Sequence, residues 1–456
     1  MNLPRNIDKY LNKYAVSPMR PLRAASFAGV DHAVVIPALA ESSSLFRTLS
    51  SIAANPSSEL RRTLVVCVVN NHRPSVSTEE EIRDNQATLT ILKELIEGRK
   101  PSAAGPAVQK DDLEQIADSS LRLGCIDASS AGAEIPDRDG GVGTARKIGM
   151  DAALAVLSGR GRGGGVIGCL DADTLVMENY LAAVHDHFSL TDDPAAVAGY
   201  AHRKPVDPGR LAAICCYEIF LRAYVMGLSF AGSPYAFHAI GSTMSCSAHA
   251  YAAVRGMNRR TAAEDFHFLD KLAKLRKVGH IGTTTVFPSA RPSDRVPFGT
   301  GQRMQRFING GTDEYRLHDP QIFTILQEWL SGMEADPDRG TDAILTDARQ
   351  IHPGLKAYLD LSRFAIDWPV IRRNCPDAVH LRRQFRVWFD GLKTLRLVHH
   401  LSRSAFPPVP MFEGLKGLLD RMGQAIPSLA GIPSGIPEPG IQFMILEELR
   451  SRFPES

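Results

Sequence analysis

Two short acidic segments carry the chemistry this sequence could do: Asp171-Ala172-Asp173 and Glu264-Asp265. The first follows the apolar or small residues Val166 to Leu170, which places both carboxylates at the end of a buried strand. In an open α/β sheet, ligands bind beyond the carboxyl ends of the strands. Two acids one residue apart there could hold Mg²⁺ or Mn²⁺ together with phosphate oxygens, since hard cations accept few carboxylates and keep substrate phosphate in their shell. The reaction implied is metal-assisted departure of a phosphate-bearing group. A surface turn that uses Asp for capping is the plainer alternative. Glu264-Asp265 opens a helical pattern. A carboxylate there could take a proton from an attacking hydroxyl, or could simply complement the helix dipole.

The elements that must position these acids alternate in type. HAVVIPALA (32–40), TLVVCVVNN (63–71), LRLGCIDAS (121–129) and the strand of GGGVIGCLDADTLV (163–176) are continuous apolar runs. Between them lie helical periodicities at 41–55 and 79–97, and one beginning at Lys147 after the Gly/Asp-rich loop 138–146. Such βα alternation predicts a mainly parallel sheet covered by helices. Further strands are expected at 195–203, from 241, and at 280–292, with helices at about 208–229 and 262–279. From about 320 the strand pattern stops and helical periodicity takes over. The expected division is an irregular arm over 1–31, an α/β catalytic domain over 32–318, and a mostly α-helical domain over 319–456. In the last of these, Leu381, Phe385, Trp388, Leu392, Leu395 and Val398 predict one amphipathic helix over 381–398. Its other face carries Arg382, Arg383, Arg386, Lys393 and Arg396. That face suits peripheral contact with an anionic membrane; packing of the apolar stripe on the protein or on a second subunit is the favoured reading.

Composition narrows the function classes. Of 456 residues, 44% are hydrophobic and 22% charged, which excludes wholesale disorder. Lys+Arg 52 against Asp+Glu 50 gives a net charge of +2 and argues against a nucleic-acid partner. The seven cysteines are scattered without a CxxC pair, so neither a disulfide framework nor a zinc ribbon is indicated; a reducing, cytoplasmic setting is expected. The N-terminus lacks the apolar core of a signal peptide. The most apolar window, 211–231, carries Glu218 and Arg222, so no membrane-spanning helix is expected.

Five segments in order resemble family-two glycosyltransferases of the GT-A fold over about residues 32–310. VVIPALAE (34–41) is similar to that family's opening strand and loop, and LVVCVVNN (64–71) to its second strand. GVGTARKIGMDAA (141–153) resembles the G-x-G-x-A-R-N segment, GCLDADTLVMENYL (168–181) the metal-binding strand, and RRTAAEDFHFLDKLAKLRKVG (259–279) the segment carrying the E-D pair. The resemblance implies transfer of a sugar from a nucleotide-diphosphate sugar to a hydroxyl acceptor. It implies a metal on Asp171 and Asp173, Asp265 as catalytic base with Glu264 assisting, and inversion in preference to retention. It puts Pro37, Ala38, Glu41, Asn70, Arg146, Asp171 and Asp173 at the nucleotide-sugar site, Asp171 on the ribose and Asp173 on the metal-diphosphate. Gly241 and Ser242 would pass the acceptor, and Arg295, Arg303 and Arg306 would supply a diphosphate or acceptor loop. Arg303-Met304-Gln305-Arg306-Phe307 departs from the Q-x-x-R-W of processive synthases, so no polymer synthase is implied. His249, His280 and His318 are candidates for a third metal ligand.

Alternatives remain on the same residues. Asn70-Asn71, where the family commonly has aspartates, and the unusual 290–307 loop suit a non-catalytic nucleotide-sugar-binding scaffold. A retaining transferase, a phosphatase with Asp171 as nucleophile, a nucleotidyltransferase and a dehydrogenase using Gly141 and Gly143 rank below it. The donor sugar, base, acceptor and oligomeric state, a homo-oligomer included, are left open.

Overall fold

A nine-stranded mixed sheet is built from β1 (Leu22–Ala24), β2 (His32–Ala38), β3 (Thr63–Asn70), β4 (Arg122–Ala128), β5 (Val166–Cys169), β6 (Leu175–Val176), β7 (Ala195–Tyr200), β8 (Met244–Ser247) and β9 (Val278–Phe287). The computed structural model describes residues 3–72, 74–101, 108–158, 165–293, 299–310, 313–432 and 435–454. Strand order is β1-β4-β3-β2-β5-β8-β7-β9-β6. The central β4-β3-β2-β5 block is parallel, while β8 runs antiparallel to both of its neighbours. Every residue of β3 is buried, which is why its sequence is an unbroken apolar run and not an alternation. Helices flank this sheet and a helical region ends the chain, which is the α/β fold class expected.

The helices begin where local chemistry allows. Thr78 caps Glu79–Ile96: its hydroxyl accepts from the Glu81 N–H at 3.2 Å, and the Glu81 carboxylate accepts from the Thr78 N–H at 3.0 Å. Gly149 lies on the buried face of Val142–Ser158, where a Cβ would stand 2.4 Å from Val35 Cγ1 and 2.8 Å from Val68 Cγ2. Only glycine lets this helix lie so close to β2 and β3.

The described residues fall into two compact units. The first holds those up to Arg203 and Ala239–Ser289, with a core of Val34, Ile36, Leu45, Val65, Val69, Leu170 and their neighbours. The second holds Lys204–His238, residues 290–293 and the described residues from Gly299 onward, with its own core around Met226, Phe323, Trp329, Phe364 and Trp368.

Several expectations change. The arm over 1–31 contains a helix, Leu3–Lys13, docked on the helix Ala248–Ala253. Its anchor is Tyr10, whose hydroxyl donates to Asp151 Oδ1 at 2.6 Å in a buried cluster with Tyr251. A polar eleven-residue segment gives no sign of such distant partners. The division at 318 also differs, because helix Pro208–Phe230 packs inside the second unit against Thr300–Ile308 and Pro439–Arg452. Local periodicity does not reveal which core a helix will join. The single helix over 381–398 is two, Ala378–Trp388 and Gly391–Ser404, divided at Phe389 and recapped by Asp390, whose carboxylate accepts from the Lys393 N–H at 3.0 Å. After that break the buried stripe is Thr394, Leu397, Val398 and Leu401, so Leu392 and Leu395 lie only half-buried.

Helix Pro208–Phe230 is long and apolar enough to cross a membrane by length and composition, yet 72% of its most apolar window is buried within the protein. Glu218 on this helix is fully buried. Arg222 pairs with its Oε1 at 3.0 Å and Arg450 with its Oε2 at 2.7 Å.

Candidate functional site

The Asp171-Ala172-Asp173 segment leaves the carboxyl end of β5 in a tight turn, with the Thr174 N–H donating to the Asp171 carbonyl at 3.1 Å. Ala172 is locked inward, and its carbonyl accepts from the buried Thr48 hydroxyl at 2.9 Å. Alternation across the turn therefore leaves both acids half-buried, with Asp171 38% exposed at its side chain.

Each carboxylate oxygen of Asp171 accepts one hydrogen bond from the protein. Its Oδ1 accepts from Arg146 Nη2. Its Oδ2 accepts from the Ser242 hydroxyl at 2.5 Å, and the Ser242 oxygen accepts in turn from the Thr174 hydroxyl at 2.9 Å. The other guanidinium nitrogen of Arg146, Nη1, donates to Glu264 Oε1. The Arg146 and Glu264 side chains are each 4% exposed. One buried cation thus joins the acid at the end of β5 to the acid that opens helix Glu264–Ala273. Burial works against the charge on Arg146; the fields of Asp171 and Asp265 outweigh it, so the guanidinium stays protonated.

Three glycines make this bridge fit. Gly241 lies against the guanidinium: a Cβ there would stand 2.0 Å from Arg146 Nη2, so the space at Gly241 is filled by arginine. At Gly141 a Cβ would stand 2.7 Å from Thr261 Cα, and at Gly143 it would stand 2.5 Å from the Arg260 carbonyl oxygen. These two residues let the N-terminus of Val142–Ser158 touch the segment that leads into Glu264. The Gly141-Val142-Gly143 spacing thus has a packing cause.

Asp265 stands beside the bridge. Its Oδ1 accepts from the Phe266 N–H at 2.7 Å. Desolvation lifts its pKa above the ordinary carboxylate value of 3.8, with Asp171 adding to the rise and Arg146 and the Phe266 N–H opposing it. A raised carboxylate is the better proton acceptor. The residue before the pair, Ala263, adopts a left-handed backbone (φ 57), a conformation that costs a non-glycine residue about 1 kcal/mol or more. Such outliers cluster where a site needs a particular geometry.

The remaining expected residues lie as follows. Pro37 and Ala38 end β2, buried and in parallel register with Val68 and Val69. Glu41, also buried, starts helix Ser42–Ala53, and Asn70 closes β3. This loop is pinned by two residues the sequence did not single out. Asn85 accepts from the Ala40 N–H at 2.9 Å and donates to the Asn70 carbonyl at 3.0 Å, while Asp84 accepts from the Ser42 N–H at 3.1 Å. Only their place in the capped helix Glu79–Ile96 brings them here, so no local signal could have found them. Lys147, next to Arg146, turns to the opposite side and pairs with Asp151 at 3.2 Å.

Arg303 and Arg306 belong to the second unit, where both pair with Glu314. Arg295 lies outside the described residues. His318, also in the second unit, meets the Ser402 hydroxyl at 2.9 Å. No three His, Cys, Asp or Glu side chains converge as metal ligands among the described residues.

No family model and no curated relative matches the chain. Among solved structures it is similar to S. aureus TarS 1–349, with a TM-score of 0.36, 12% identity, and coverage of 82% of this chain and 91% of that one. The TarS complex with UDP-GlcNAc gives 0.37 at 12% identity, covering 82% and 92%. The complex with UDP gives 0.36 at 13%, covering 82% and 91%.

Proposed function

We propose that the chain is a glycosyltransferase that moves a sugar from a nucleotide-diphosphate sugar to a hydroxyl acceptor. The observation that carries this reading is the Arg146 bridge, which gathers two acidic motifs 93 residues apart (264 − 171) at the ligand edge of one sheet. Asp173 would hold Mg²⁺ or Mn²⁺ with the donor's diphosphate, and Asp171 would serve to orient the turn. When bound, the cation offsets charge on the leaving diphosphate. Asp265 would accept the acceptor's hydroxyl proton, its burial-raised basicity serving that step, and the outcome would be inversion. Glu264 would fix the helix start through Arg146. Pro37, Ala38, Glu41 and Asn70 would border the nucleoside.

A second reading, a non-catalytic nucleotide-sugar binder, draws on the engagement of both Asp171 oxygens within the protein. One experiment separates the two. Thermal midpoint and donor hydrolysis are measured across a panel of nucleotide-diphosphate sugars with and without Mn²⁺, for wild type and Asp173→Ala. The transferase reading expects Mn²⁺-dependent stabilisation by a selective donor and turnover, both lost in Asp173→Ala. Stabilisation without turnover leaves the binder. Neither stabilisation nor turnover, with Asp173→Ala unchanged, removes both.

A further inference from the structure

The helix Phe364–Arg373 turns two different faces outward and inward. Phe364 and Trp368 are fully buried, and Asp367 faces the same interior, where it accepts from Trp388 Nε1 at 3.0 Å. The outer face carries Ile366 at 57% exposure and Val370 at 46%. These two lie four residues apart on one face of the helix, with Arg373 three residues further on; Arg363 precedes the helix as its cap in a left-handed backbone (φ 62), and both arginines are exposed. Neither of these arginines has a carboxylate partner among the described residues, whereas Arg372 between them pairs with Asp338 at 2.6 Å. Exposed aliphatic residues bracketed by unpaired cations form a surface that water solvates poorly in the middle and that seeks negative charge at its ends.

We propose that this Arg-Ile-Val-Arg stripe seats the protein on an anionic lipid surface. The aliphatic pair would enter the headgroup boundary and the two guanidiniums would bind lipid phosphates. A second copy of the chain fits less well. The stripe reads the same from both ends, so a two-fold contact between copies sets arginine against arginine. The location also differs from that suggested by the 381–398 periodicity, whose Leu381, Phe385 and Trp388 are buried in the second unit's core.

Cosedimentation of the full chain with phosphatidylcholine vesicles, and with vesicles enriched in phosphatidylglycerol, tests the proposal. Binding is expected only to the anionic vesicles and is weakened by added salt. R363Q/R373Q is expected to lower partitioning by about 25-fold, at roughly fivefold per arginine, and R363E/R373E by more. I366S/V370S is expected to weaken it while leaving the salt dependence in place. R363Q/R373Q serves if charge reversal impairs folding, and thermal midpoints check that each variant is folded. Absence of binding to anionic vesicles overturns the proposal, as does binding undiminished in the arginine variants. So does a concentration-dependent dimer abolished by I366S/V370S. Stabilisation by a nucleotide-diphosphate sugar is read on the same variants, so failure of the surface is distinguishable from failure of the donor site.

Discussion

Two buried ionic clusters in this protein are near inverses of each other. In the first unit one cation, Arg146, is shared by two carboxylates, Asp171 and Glu264. In the second unit one carboxylate, Glu218, is shared by two cations, Arg222 and Arg450. Glu218 is closed off from water on every side, whereas Asp171 keeps 38% of its side chain exposed. The Arg146 cluster also has further acids, Asp173 and Asp265, within two residues of its members. An excess of carboxylate facing solvent can recruit a cation and a phosphorylated ligand. A sealed carboxylate between two guanidiniums can only fix how helices pack. The two clusters thus differ in access: the Arg146 cluster reaches solvent through Asp171, while the Glu218 carboxylate is enclosed.

The largest effect expected of this contrast is on rate. Asp265→Asn should lower transfer by about 10²–10⁴-fold with donor affinity kept, as loss of a general base does; steady-state kinetics on the identified donor read it. In the wild type, activity should fall as pH drops through a value above 3.8, because the raised Asp265 must lose its proton to act. That acidic limb should vanish in the residual activity of Asp265→Asn.

Next in size is stability. Glu218→Ala removes the carboxylate that Arg222 and Arg450 share, while Arg450 keeps its pair with Glu447 at 2.5 Å, and should cost about 3 kcal/mol in denaturant unfolding. Activity per folded molecule should survive. Arg146→Ala strands Glu264 and should cost stability and activity together. Arg146→Lys restores the charge but not the two-armed bridge, so it should recover stability more than rate. If Glu218→Ala abolished activity at full folding, the distinction between the clusters would be lost.

A smaller loss tests how the bridge is assembled. Gly143→Ala brings a methyl to 2.5 Å from the Arg260 carbonyl oxygen and should destabilise by about 1–3 kcal/mol. Part of that displacement should reach Glu264 and lower kcat, whereas Gly431→Ala, which meets nothing within 4 Å, should change neither.

The effect that is smallest at neutral pH concerns a neutral pair in the first unit. The rings of His32 and His185 stack 3.6 Å apart, and burial with the neighbouring His185 pushes the pKa of His32 down to about 3. Below pH about 6.5 the unfolded chain takes up a proton that the folded one refuses. Stability from this residue is thus present above that pH and declines as pH falls toward about 3. His32→Leu should flatten the acid limb of a pH–stability profile.

The layered α/β class was readable because strand runs such as Thr63–Asn70 are buried on both faces, and that environment writes itself into consecutive apolar residues. The Asp-Ala-Asp turn was readable for a similar reason: an abrupt change from apolar to acidic marks where a strand leaves the sheet. Helix Leu3–Lys13 was not readable, because its fixing contacts to Asp151 and Tyr251 lie far along the chain. Nor was the break at Phe389, since one apolar period continues through it and only packing selects which residues turn inward. Asn85 bracing Ala40, Ser242 bracing Asp171, and Arg146 filling the space at Gly241 belong to tertiary structure alone. Periodicity records which side of an element meets the core, and is therefore local; a charge network depends on which distant atoms arrive within about 3 Å, and only the folded chain decides that.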